Sequence, residues 1–156
     1  MQIDTQGTRC RDLGFDHCRR VDSSRVLIVD ADRSGCDEVA GFVQQLGGFE
    51  TQCAYSGDVA LRIATELLPG FVLMNTDRRS LDCYRLASML HQRAGLHEAR
   101  IIGLTGEIAT VDRQVALAAG FEQFLTLPLR QTALEKILTG RSHRGLERHR
   151  TSLQAV

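Results

Sequence analysis

Residues 25–48 read RVLIVDADRSGCDEVAGFVQQLGG, and this one stretch carries both a strand and the helix that follows it. After Arg25 the opening RVLIV is an unbroken run of Val, Leu and Ile, the composition of a strand buried on both faces of a parallel sheet. Val39, Phe42, Val43 and Leu46 then recur at i, i+3, i+4 and i+7, which predicts one apolar helical stripe, and Gly47 with Gly48 stops it. The same unit repeats downstream. FETQC (49–53) reads as a second strand, and Ala60, Ile63, Ala64 and Leu67 form the stripe of a second helix that ends before Pro69. FVLM (71–74) is a third strand, and residues 82–94 carry Leu86, Met89 and Leu90 as a third stripe. RIIGL (100–104) is followed by an alanine-rich helix over 109–119 that Gly120 ends. FEQFL (121–125) is followed by Leu134, Ile137 and Leu138 before Gly140. Five strand-helix units of this spacing predict an α/β fold, an open parallel sheet covered by helices on both faces.

Ligands of such folds gather beyond the carboxyl ends of the strands. The loops that meet there begin at Asp30, Asn75, Thr105 and Thr126. Asp30 directly follows a buried run, and with Asp32 it could offer oxygen ligands to Mg²⁺; an Asp just before a helix also serves as an N-terminal cap, and both readings of Asp32 stay open. Asn75 stands where a carboxylate would point into the same crevice, but an amide carries no charge and forms no aspartyl phosphate. Thr105 could hydrogen-bond an anion or its own backbone. Leu127, before Pro128, offers the crevice no donor.

Over about residues 24–139 the chain resembles the receiver domain of bacterial two-component response regulators. RVLIVDAD is similar to the acidic first-strand motif, PGFVLMNTDRRSLD to the phosphoacceptor strand and loop, and IIGLTGEIATVDRQVALAAGFEQFLTLP to the segment from the fourth strand to the fifth. The resemblance implies a flavodoxin-like, CheY-like sheet of five parallel strands in the order 2-1-3-4-5 with five surrounding helices. It also implies a phosphorylation pocket, and this chain departs from it at several positions. The first metal-supporting acid is kept as Asp30, but the second falls on Ala31, the phosphoacceptor Asp on Asn75 and the Lys on Leu127. The phosphate-sensing hydroxyl is kept as Thr105, and the aromatic switch position holds Phe124. The Pro of the loop after the phosphoacceptor becomes Arg79, and the Gly after Asp82 becomes Cys83. A receiver-shaped module without phosphorylation chemistry is the expected function, with no catalytic residues, no cofactor and weak or absent Mg²⁺ binding. Its interaction surface would lie on the fourth helix, fifth strand and fifth helix and include Phe124, Leu129 and Arg130. The alternatives are phosphorylation by an unusual route, or a small-molecule-binding protein or enzyme on the same fold. The last lacks a GxGxxG or GxxxxGK[ST] loop after a strand.

Composition and charge exclude further classes. The 156 residues, 43% of them apolar, suit one folded unit. Nineteen basic residues balance nineteen acidic ones, so net charge gives no reason to expect a nucleic acid or an anionic membrane as partner. The balance is uneven along the chain: residues 25–139 hold eleven basic against fourteen acidic, and residues 140–156 hold four basic against one. Residues 1–24 lack apolar periodicity and read as a flexible segment, residues 25–139 as the receiver-like domain, and residues 140–156 as a basic tail. Arg141, Arg144, Arg148 and Arg150 come without an aromatic platform, which disfavours nucleic-acid recognition, and the short tail leaves no room for a helix-turn-helix output unit. The expected partner is therefore a protein of a two-component pathway or a second copy of the chain. Apolar runs fall far short of the roughly 20 residues that span a bilayer, and no secretory leader is legible, so a cytoplasmic location is expected. Cys10, Cys18, Cys36, Cys53 and Cys83 have no metal-ligand spacing and read as free thiols, several of them buried.

Overall fold

The computed structural model describes residues 20–77, 82–93 and 95–140. Five parallel strands form one sheet in the order β2-β1-β3-β4-β5: β1 is Asp22–Val29, β2 Glu50–Ala54, β3 Pro69–Asn75, β4 Arg100–Thr105 and β5 Phe121–Thr126. The helices are α1 Arg33–Leu46, α2 Gly57–Leu67, α3 Cys83–Gln92, α4 Arg113–Ala119 and α5 Gln131–Thr139. This is the expected architecture.

The β1 run explains itself once the layers are assigned. Leu27 and Val29 face a core shared with Ala60 and Ala64 of α2, Leu86 and Leu90 of α3 and Ala116 of α4. Val26 and Ile28 face the opposite core, with Val39 and Val43 of α1 and Leu134, Ile137 and Leu138 of α5. These four side chains of β1 are at most 1% exposed, and burial of each contributes about 1.5–3 kcal/mol, so the half of the strand with water on neither side has no position for a polar residue. Polar residues are pushed to the strand ends, where the sheet opens.

Several boundaries differ from the sequence reading, each for a local reason. β1 begins at Asp22, inside the segment expected to be flexible, because Asp22 pairs with Pro69 and its N–H donates to the Leu68 carbonyl at 2.9 Å. Pro69 opens β3 rather than merely ending α2, a place where its missing N–H does no harm. The helix expected over 109–119 is split. Ile108–Thr110 forms a single 3₁₀ turn, and α4 starts only at Arg113, where the Asp112 carboxylate caps the N–H groups of Gln114 and Val115. Gly120 ends α4 with φ of 112°, and its bare Cα lies against His91: an added Cβ would stand 2.6 Å from that ring. The basic tail, Cys10, Cys18 and Arg79 lie outside the described residues.

Candidate functional site

Three polar side chains are buried among the described residues, and they are Asp30, Asn75 and Thr105, at 2%, 6% and 3% exposure. All stand at the carboxyl edge of the central strands. β1 and β3 pair as far as Val29 with Met74, so Asp30 and Asn75 emerge side by side; β3 and β4 pair through Asn75 with Leu104, which sets Thr105 next in line. Main-chain bonds hold these ends together: Thr76 N–H reaches the Leu104 carbonyl at 2.9 Å, and Leu127 N–H reaches the Thr105 carbonyl at 2.8 Å. Buried polar groups require partners, and here they supply one another.

Asp30 Oδ1 accepts the Asp32 N–H at 2.9 Å, and Asp30 Oδ2 accepts the Asn75 amide Nδ2 at 3.1 Å. The other end of that amide, Oδ1, accepts the Asp77 N–H at 2.9 Å. Asn75 therefore uses one donor and one acceptor in opposite directions, which a carboxylate cannot do. Thr105 Oγ1 donates to Asp77 Oδ1 at 2.7 Å while accepting the Glu107 N–H at 3.0 Å, and the Gly106 N–H donates to Asp77 Oδ2 at 2.8 Å. Asp77 closes a chain of contacts from β1 through β3 to β4. The sequence reading passed over it; its only signal was a carboxylate two residues beyond a strand-end residue already singled out.

The remaining expected site residues settle as follows. Ala31 is half-buried against the α2–α4 side of the core, and Leu127 packs against the α1–α5 side, so neither brings a charge to the crevice. Asp32 occupies the N-cap position of α1, but its carboxylate makes no cap bond to the helix and accepts the Ser34 hydroxyl at 3.2 Å. Cys83 Sγ donates to the Asn75 carbonyl at 3.3 Å, and burial pushes this thiol up to about 12. Phe124 and Leu129 do not line a surface. Phe124 is fully buried because its β4 neighbour in register is Gly103, whose missing side chain leaves room for the ring. Leu129 is 7% exposed and belongs to the α1–α5 core; of the three expected surface residues only Arg130 is exposed. Among the described residues, the exposed large apolar side chains are Val115 and Leu117 of α4, at 47% and 49%.

Magnesium takes near-octahedral oxygen coordination, typically with one or two carboxylates and several waters. Here Ala31 provides none, Asn75 is neutral with its oxygen already engaged, and the Asp77 carboxylate is committed to Thr105 and Gly106. Among the described residues no group of three His, Cys, Asp or Glu is arranged to hold a metal. This donor set matches a resident Mg²⁺ poorly.

Residues 26–139 match the family described as "Response regulator receiver domain". The chain belongs to that family. Its receiver region is 33% identical over 110 residues to the transcriptional regulatory protein PrrA of Mycobacterium leprae and, equally, to PrrA of Mycobacterium tuberculosis. Each match covers 69% of this chain and 45% of the relative, so the receiver spans less than half the length of these curated proteins. Among solved structures, the chemotaxis response regulator CheY4 of Vibrio cholerae shares the fold at a TM-score of 0.67 and 22% identity, covering 75% of this chain and 97% of that one. The receiver domain of a sensor histidine kinase from Pseudomonas aeruginosa PAO1, solved with a magnesium ion in its active-site cleft, also reaches 0.67 at 23% identity, covering 75% and 95%. This receiver is a two-component signalling domain of the same fold. No helix among its described residues is long and apolar enough to cross a membrane.

Proposed function

We propose that this receiver acts in signal transduction as a protein-interaction or dimerisation module that does not undergo aspartyl phosphorylation. The observation that carries the reading is Asn75, which stands at the end of β3 with both ends of its amide engaged, by Asp30 and by the Asp77 N–H. An amide nitrogen bound to a carboxylate is no nucleophile for phosphorus, and Leu127 leaves no Lys at that position to neutralise an incoming phosphoryl group. The exposed Val115 and Leu117 on α4 supply apolar anchors of the kind that dominate interface energetics. The partner in this reading is a protein of a two-component pathway or a second copy of the chain, in the cytoplasm, without nucleic acid and with Mg²⁺ bound weakly or not at all.

The test is incubation with acetyl phosphate and millimolar Mg²⁺, followed by intact-mass spectrometry, on the wild type and on Asn75→Ala. No phosphoryl adduct on either supports the reading. An acid-labile adduct on both means phosphorylation by another residue and overturns it. Thermal melting with and without Mg²⁺ is the companion measurement, and a large stabilisation of the wild type at millimolar Mg²⁺ counts against a metal-free site.

A further inference from the structure

The carboxyl end of β4 presents two hydrogen-bond donors side by side, the Thr105 hydroxyl and the Gly106 N–H. Both point at a single group, and that group is part of the chain itself. Asp77 Oδ1 accepts from the hydroxyl at 2.7 Å, and Asp77 Oδ2 accepts from the N–H at 2.8 Å. The Glu107 N–H occupies the acceptor side of the Thr105 oxygen at 3.0 Å, which directs the hydroxyl proton toward Asp77. The Asp77 main chain is in turn fixed by its own N–H on Asn75 Oδ1 at 2.9 Å. Two donors converging on the two oxygens of one carboxylate make an oxyanion site, and charge-assisted bonds of this length are the strong ones.

We propose that Asp77 is a tethered internal anion that fills the oxyanion site of Thr105 and Gly106, holding the receiver in a single anion-bound arrangement with no added phosphate. The inference rests on the reading of the domain as phosphorylation-independent and gives the retained Thr105 a task within it. A tethered carboxylate competes at a high effective concentration because its loop is only two residues from the strand end. Free anions are therefore shut out while Asp77 is present. The same strand holds Gly103 beneath the buried Phe124, so the occupied oxyanion site and the inward aromatic ring belong to one state of β4 and β5.

Removing the tether should turn a closed site into an open one. The experiment follows the Gly106 amide resonance and the melting temperature of the wild type, Asp77→Ala and Asp77→Asn, titrated with inorganic phosphate against sodium chloride at matched ionic strength. The expected result is a lower melting temperature and a displaced Gly106 amide in Asp77→Ala. Phosphate then restores both, with an affinity at least about tenfold tighter than for the wild type. Asp77→Asn keeps the shape and one acceptor, so it should fall between the two, and Thr105→Ala combined with Asp77→Ala should lose the phosphate response. Equal responses of wild type and Asp77→Ala to phosphate overturn the proposal, as does a Gly106 amide that phosphate fails to move in Asp77→Ala. Inorganic phosphate transfers no phosphoryl group, so these outcomes are independent of the acetyl phosphate test: an adduct there would sink the parent reading while leaving the clasp measurable.

Discussion

Replacing Asn75 with Asp would restore the residue type that the receiver resemblance puts at this position, and the geometry says it should be costly. The Asn75 Nδ2 donates to Asp30 Oδ2 at 3.1 Å in a site where the two residues are 6% and 2% exposed. Asn75→Asp removes this donor and puts a second carboxylate against the first. Loss of a hydrogen bond to a charged group is worth about 1.5–3 kcal/mol. Two like charges about 4 Å apart repel by about 4 kcal/mol at an effective dielectric of 20. The full sum is not reached, because the introduced carboxyl can escape by keeping its proton, and keeping it from pH 3.9 up to pH 7 costs about 4 kcal/mol. The expected penalty at pH 7 is therefore about 2–4 kcal/mol, within a typical total stability of about 5–15 kcal/mol, so the variant should fold with a melting temperature lower by roughly 10 °C. The sign with pH follows from the raised folded pKa of the new carboxyl. Below about pH 4 it is protonated in both states and can donate to Asp30 as the amide did, so the penalty is small; it grows as pH rises and levels off above the folded pKa. Urea unfolding by circular dichroism in EDTA, from pH 4.5 to 8, measures the difference between variant and wild type. A penalty under about 0.5 kcal/mol, or one that does not change with pH, would refute the coupling of position 75 to Asp30.

Other expectations follow from single contacts. Gly103→Ala puts a Cβ 2.3 Å from the Phe124 ring, so it should destabilise by about 1–3 kcal/mol in urea unfolding, and Phe124→Leu in the same chain should recover part of the loss. His91, on α3 against Gly120, has its pKa lowered by burial and then by the charge of His97. The fold thus prefers neutral His91, and its contribution is full above the unfolded value near pH 6.5 and is lost as pH falls through the folded value; His91→Gln should flatten the stability profile below about pH 6.5. Burial raises the Cys36 and Cys83 thiols, the latter to about 12, so in a variant with Cys10, Cys18 and Cys53 replaced by Ser neither should react with a disulfide reagent at pH 8 until the protein unfolds.

The sheet and its helices were legible because burial on two faces leaves a strong signature: VLIV and FVLM admit nothing polar, and the residues that follow them, Asp30 and Asn75, mark the strand ends almost by exclusion. Features that depend on neighbours across the sheet were not legible. Asp22–Ser24 looks polar and irregular in sequence, and it becomes strand only because Pro69 lies beside it. Phe124 reads as a surface switch until the register sets it opposite Gly103, where a hole of its own size awaits. The 3₁₀ turn at Ile108–Thr110 reflects a competition between an alanine-rich run that favours helix and an Asp112 side chain that caps a later start. Asp77 was not legible because its one local mark is a carboxylate two residues beyond Asn75; its role exists only where β3 and β4 end side by side.

The site also bears on how a buried crevice with few charges is satisfied. With Ala31, Asn75 and Leu127 uncharged, Asp30 and Thr105 are buried polar groups that need partners, each costing about 1–3 kcal/mol if unsatisfied. The observed network meets that need from within the chain, through an amide that faces both ways and a carboxylate that takes two donors. Asn75 and Asp77 therefore depend on each other. An Asp at position 75 would lose its acceptor-to-donor polarity toward Asp30, and any smaller residue there would release the Asp77 N–H that holds the clasp on Thr105. Sequence changes at positions 75, 77 and 105 should accordingly be non-additive in stability, with interaction energies of about 0.5–3 kcal/mol, whereas each should add independently with changes at Val115 or Leu117 on the exposed face of α4.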